Sequence, residues 1–186
     1  LGLSLVSGCE KAADQKSKAG AEQPVKTPAA LRIAVVPKGT THDFWKTVHS
    51  GALKAGAELG VEVTFRGPER EDDREQQVSL VQNLISGKYS AIVLAPLDDR
   101  ALVAPVRQAG QAKIPVVIID SGLEATPGTD FVSFVATDNE RGGELAGQKL
   151  GELLGGTGSV LLLRYQEGSA STGLREQGFV KAIGKF

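Results

Sequence analysis

LRIAVVPKGTTHDFWKTVHSGALKAGAELGVEVTF, residues 31–65, decides the fold. LRIAVV (31–36) is short, aliphatic and β-branched, as a strand buried in a sheet must be. Trp45, Val48, Ala52, Ala55 and Leu59 then recur at helical spacing, and VEVTF (61–65) returns to strand character. Strand, helix and strand in that order make a βαβ unit with a right-handed crossover and parallel strands.

The alternation continues outward. EDDREQQVSLVQNLISG (71–87) has acids in its first turn, Val78, Val81 and Ile85 on one face, and Gly87 as its stop. SAIVLAP (90–96) is a third strand, followed by a helix begun near Asp98 or Asp99, with Pro105 close to its start. IPVVIID (114–120) and FVSFVATD (131–138) are the fourth and fifth strands, and NERGGELAGQKLGELLGG (139–156) is a helix ending in a glycine pair. SVLLLRY (159–165) is expected as a sixth strand, and LREQGFVKAIGKF (174–186) as a last, interrupted helix. The pattern predicts an α/β, doubly wound parallel sheet covered on both faces, followed by the start of a second, similar unit.

Upstream of Leu31 the character changes. Leu1, Leu3, Leu5 and Val6 read as the end of a signal-peptide apolar core, too short to span a bilayer, with the small residues Ser7 and Gly8 before Cys9. Val-Ser-Gly-Cys resembles the lipobox of bacterial lipoproteins, in which the cysteine sulfur carries a diacylglycerol. Residues 10–30 are Ala, Lys, Gln, Glu, Ser and Pro with little to bury, so a disordered tether is expected, with ends roughly 25–30 Å apart. The chain has no methionine and stops inside a helical pattern, so it is read as truncated at both ends.

Composition excludes several functions. A net charge of −1 over 186 residues offers no field for nucleic acid. One cysteine excludes an internal disulfide, and two histidines with that cysteine leave no metal cluster to assemble. The turn after the first strand, VVPKGTTHDFW, lacks GxGxxG; a Walker A loop, a G-x-S-x-G elbow and an acidic pair after strand one are also missing. Binding without catalysis or cofactor is the expectation.

In doubly wound sheets ligands bind beyond the carboxyl ends of the strands. Those ends carry Lys38, His42, Phe44 and Trp45 after strand one, Asp120 and Ser121 after strand four, Thr137, Asp138 and Asn139 after strand five, and Arg164 and Arg175 around and beyond strand six. Aromatic faces beside carboxylates, amides and arginines suit a small polyhydroxylated ligand. Each residue also has a plainer use: Trp45 shares the core stripe of its helix, His42 and His49 suit the surface, Asp43 an N-cap, Asp120 a loop cap and Arg175 an ion pair. Phe44, one position off the stripe, is the better ligand candidate. Asp120 has no basic neighbour in sequence, which favours its use as a hydroxyl acceptor.

PKGTTHDFWKTVHSGALKAGAELGVEV, SAIVLAPLDD through IPVVIIDSG, FVATDNERGGELAGQKL and EGSASTGLREQGF together resemble the ribose-type periplasmic substrate-binding proteins of sugar ABC transporters, from about Leu31 to Phe186. The same fold serves as the effector domain of lactose-repressor-type regulators. The resemblance implies two lobes closing on a sugar: residues 31–135 as the first lobe, and 136–186 as a hinge, at Thr137, Asp138 and Asn139, with an incomplete second lobe. It assigns ligand contact to Phe44, Trp45 and Asp120, with His42 where many relatives carry asparagine and Ser121 where an arginine is usual. A second sugar-binding arginine falls on Gly173, and Arg175 matches an arginine more often structural. The implied partners are a small sugar, an ABC permease and, through Cys9, a membrane surface, for a monomer in the periplasm or at the cell surface. The alternative is a module presenting a sugar or autoinducer to a chemoreceptor or sensor kinase.

Overall fold

The computed structural model describes residues 31–186; the expected signal-peptide remnant, the expected lipidation at Cys9 and the expected tether fall outside the described residues. Five parallel strands, β1 (Arg32–Val36), β2 (Glu62–Phe65), β3 (Ala91–Leu94), β4 (Val116–Ile119) and β5 (Ser133–Val135), form one sheet in the order β2-β1-β3-β4-β5. Between them run α1 (Asp43–Leu59), α2 (Arg74–Ser86) and α3 (Val103–Gln111); α4 (Asn139–Leu153) and α5 (Ala170–Ile183) follow. The strand order reverses beside β1, because the chain crosses first to one side and then to the other. That reversal puts the ends of β1 and β3 at the switch point where such sheets open a crevice.

The alternating strand residues Ala34, Val36, Ile92, Leu94, Val116 and Ile118 all face α2 and α3, meeting Val81, Leu84, Leu102 and Val106 in one buried cluster. The opposite face, expected to be covered as well, is half-covered among the described residues. Only α1 lies there, with Gly56 against Val63 of β2, while Val93, Val117 and Ile119 remain partly exposed. Leu59, expected in the apolar stripe of α1, is exposed at the last position of the helix.

Three other expectations are corrected. SVLLLRY forms no strand, and Leu161 and Leu163 are 85% and 83% exposed. A strand needs a neighbour for its backbone groups, and no other strand lies beside 159–165 among the described residues. The last helix is continuous and begins at Ala170. Its glycine does not interrupt it, because Gly178 is where α4 approaches. A Cβ there would overlap the Glu140 carbonyl, just as one on Gly143 would overlap the Arg175 carbonyl. The helix after β3 also starts later than expected. Asp98 Oδ1 accepts from the Arg100 and Ala101 amides at 3.0 and 2.7 Å, making a turn before Val103.

Candidate functional site

The chain leaves β1 through Pro37 and Lys38, and buried Gln77 of α2 fixes this exit. Gln77 Nε2 donates to Pro37 O at 3.0 Å and Ala95 O at 2.9 Å, and its Oε1 accepts from Leu97 N at 2.8 Å. One side chain thus ties the ends of β1 and β3 together at the switch point. His42 then caps α1, its Nδ1 accepting from the Phe44 amide at 3.2 Å. The ring stays at the surface, on a hollow of about 450 Å³ shared with Thr41, Arg70, Glu71, Tyr165 and Gln166.

The aromatic pair divides by role. Phe44 is 49% exposed; Trp45 is 2% exposed, and its indole Nε1 donates to Glu71 Oε1 at 2.7 Å. The rings meet edge-on at 4.8 Å. Of the two readings of Trp45, core residue of the helix stripe and ligand contact, its burial matches the first, because its helical register points it inward.

At the end of β4, Asp120 holds φ +64°, an uncommon conformation that an aspartate tolerates better than most residues. Asp120 has no basic neighbour in sequence, but it has one in space. Lys38 Nζ lies 3.1 Å from its Oδ2, with side chains 5% and 20% exposed respectively. Burial lowers the Lys38 pKa below its ordinary value, an effect the Asp120 carboxylate, and then Glu71, opposes. Lys38 also donates to Ser169 and Ser171. Ser121 is buried, and its Oγ accepts from the Ser171 amide at 3.0 Å, so it secures the start of α5.

Arg175 is exposed on α5 and lines a second, apolar hollow of about 430 Å³ with Thr137, Leu162, Leu163 and Phe179. Its charge bears on Lys38, but it does not line the hollow beside His42. Asp138 caps α4, accepting from Arg141 N at 3.0 Å, and Asn139 donates to Thr137 O. Among the described residues no group of three or more His, Cys, Asp or Glu is placed to hold a metal, and no helix is long and apolar enough to cross a membrane. Sequence reasoning placed Lys38 at the mouth of the sheet without giving it a role. It missed Glu71, Gln77, Ser169 and Ser171, whose partners are distant in sequence.

A family model described as periplasmic binding protein domain matches residues 33–186. This chain belongs to the periplasmic binding protein family. It is 30% identical over 151 residues to the ribose import binding protein of Salmonella typhimurium, covering 81% of this chain and 49% of that protein. It is 31% identical over 163 residues to the D-ribose/D-allose-binding protein of Pseudomonas aeruginosa, covering 85% and 51%. The chain therefore spans about half the length of the curated relatives it matches. Among solved structures, an ABC transporter solute-binding protein from Agrobacterium vitis bound with α-D-tagatopyranose superposes with a TM-score of 0.78 at 34% identity, over 83% of this chain and 54% of that one. Another from the same organism, with bound D-fucose, gives 0.77 at 38% identity, over 83% and 53%. The periplasmic binding protein fold accounts for the parallel sheet and its strand order.

Proposed function

We propose that the full-length protein is the solute-binding component of an ABC importer and takes a small neutral sugar at the carboxyl edge of this sheet. The observation that carries the reading is the charge pairing around that edge. Lys38 faces Asp120, Arg70 faces Asp72, Arg74 faces Asp98 and Arg164 faces Glu176. With these cations already matched by carboxylates, the edge suits hydroxyl groups rather than an ionic ligand, and the exposed Phe44 ring suits the apolar face of a sugar. The family membership and the tagatose- and fucose-bound relatives support the same reading. The Salmonella import protein and the Agrobacterium transporter component favour import over the signalling alternative. Phe44 and Asp120 are the proposed ligand contacts; His42 lies at the rim, and Trp45 and Ser121 support them. Arg175 is assigned to the α4–α5 side of the cleft.

Residues 137–139 are the proposed hinge between two lobes, 31–135 and the part beginning at 136, and closure is rotation there. The protein acts in the periplasm as a monomer, held at a membrane surface by lipid on Cys9 and delivering sugar to a permease. A thermal-shift panel of monosaccharides on the full-length protein tests the function. A cognate sugar at 100 times its dissociation constant stabilises by about 2.7 kcal/mol, and a panel without any shift at millimolar sugar rejects it.

A further inference from the structure

Lys38 does something that ligand contact does not explain. An ammonium has three N–H bonds, and three acceptors surround this one: Asp120 Oδ2 at 3.1 Å, Ser169 Oγ at 3.1 Å and Ser171 Oγ at 3.0 Å. Asp120 ends β4, but the two serines open α5, more than 130 residues along the chain from Lys38. Ser169 is the N-cap of α5, yet its hydroxyl makes no capping bond; it turns to Lys38 instead of the role such residues usually fill. Two bonds donated by backbone amides cross the same boundary. Ser171 N–H donates to Ser121 Oγ at 3.0 Å, and Asp99 N–H donates to Gly168 O at 2.9 Å. Lys38, Ser169 and Ser171 are all buried, so separating the start of α5 from the sheet strips two partners from a buried cation.

We propose that Lys38 is a latch: a positioning residue that holds the 168–171 loop against the sheet edge without any ligand, and fixes the Asp120 carboxylate while doing so. The inference rests on the reading of residues 137–139 as a hinge and of Asp120 as the sugar acceptor. With all three donors spent within the protein, Lys38 has none left for a sugar while the 168–171 loop is seated against it. Its effect on binding runs through the closed population, because apparent affinity scales with the fraction of molecules already competent to bind. A residue touching the ligand changes the ranking of sugars; a latch weakens every sugar by one common factor.

Hydrogen–deuterium exchange on the ligand-free, full-length protein tests this, comparing wild type with Lys38→Met and with the double variant Ser169→Ala/Ser171→Ala. The amides of Asp99 and Ser171 are expected to exchange on the order of ten- to a hundredfold faster in both variants, from the loss of charge-assisted bonds. Those of β1 and β3 should be unchanged. If Lys38→Met exchanges faster everywhere it has unfolded, and the serine variant, which keeps the Lys38–Asp120 pair, decides. Unchanged exchange at Asp99 and Ser171 in the serine variant overturns the latch. Since no sugar is present, that failure leaves the sugar reading standing, and a blank sugar panel leaves the exchange result standing.

Discussion

Replacing Asp120 with alanine tests the most consequential contact in the site. The change removes the carboxylate 3.1 Å from Lys38 Nζ and leaves an ammonium 95% shielded from solvent with only serine hydroxyls to accept its hydrogen bonds. Removing one partner of a buried ion pair costs roughly 3–5 kcal/mol. The Asp120 side chain is 20% exposed, so water entering the vacated space reduces this toward about 3 kcal/mol. Alanine at φ +64° adds about 1 kcal/mol, since a methyl-bearing residue is strained there. A loss of about 4 kcal/mol is a large share of the roughly 5–15 kcal/mol that holds a domain folded. The consequence for function is that Asp120→Ala lowers sugar affinity and stability together, and affinity alone misreads it. Urea denaturation of wild type, Asp120→Ala, Lys38→Met and Lys38→Met/Asp120→Asn supplies the control. The double variant has no stranded charge and keeps a residue that accepts this backbone, so it should be more stable than Asp120→Ala. A loss below about 1 kcal/mol in Asp120→Ala, or a double variant no more stable than it, refutes the reasoning.

Three further outcomes follow. Gln77→Leu fills similar space but strands two carbonyls and one amide at the ends of β1 and β3; at roughly 1–3 kcal/mol for each unsatisfied group it should lower stability by about 3 kcal/mol or more, read as a shift in urea midpoint, and a neutral result would remove Gln77 from the framework. Glu144 is held below its usual pKa by hydrogen bonds from Lys181 and then Arg141, and Asp130 by those from Arg107 and then the Thr126 amide; both folded values are depressed, so their stabilisation is complete above the usual carboxylate range and lost as pH falls through about 4 and below, and Glu144→Gln should flatten the acid limb of a stability–pH curve that otherwise stays steep. Cys9→Ser, expressed with the complete signal sequence, should move the protein from the detergent phase to the aqueous phase, and a wild type already in the aqueous phase contradicts the lipid anchor.

The parts of the fold that were legible are those where local pattern and tertiary need coincide. LRIAVV, VEVTF, SAIVLAP, IPVVIID and FVSFVATD carry strand composition, and each has a neighbouring strand to pair with, so β1 to β5 appear in the expected order. SVLLLRY has the same composition and no neighbour among the described residues, and composition alone does not make a strand. LREQGFVKAIGKF (174–186) reads as an interrupted helix, but Gly178 lies where α4 approaches too closely for a side chain, a fact of packing rather than of propensity. At the site, Phe44 stood out by being off the helical stripe. Trp45 belonged to both readings until its burial and its bond to Glu71 separated them. The bonds of Lys38 to Ser169 and Ser171 were beyond reach, because residues so far apart in sequence leave no local trace of their meeting.

Calorimetric titration of wild type and Phe44→Ala, both as full-length protein, with the sugar that the panel selects tests the sugar site most directly. Phe44 is half-exposed at the sheet edge and touches Trp45 only edge-on, so its removal should leave the melting temperature nearly unchanged. The lost ring contact should weaken binding about tenfold, from the roughly 1.5 kcal/mol of an aromatic face. Equal affinity in the two proteins would contradict the account and place the sugar away from this edge.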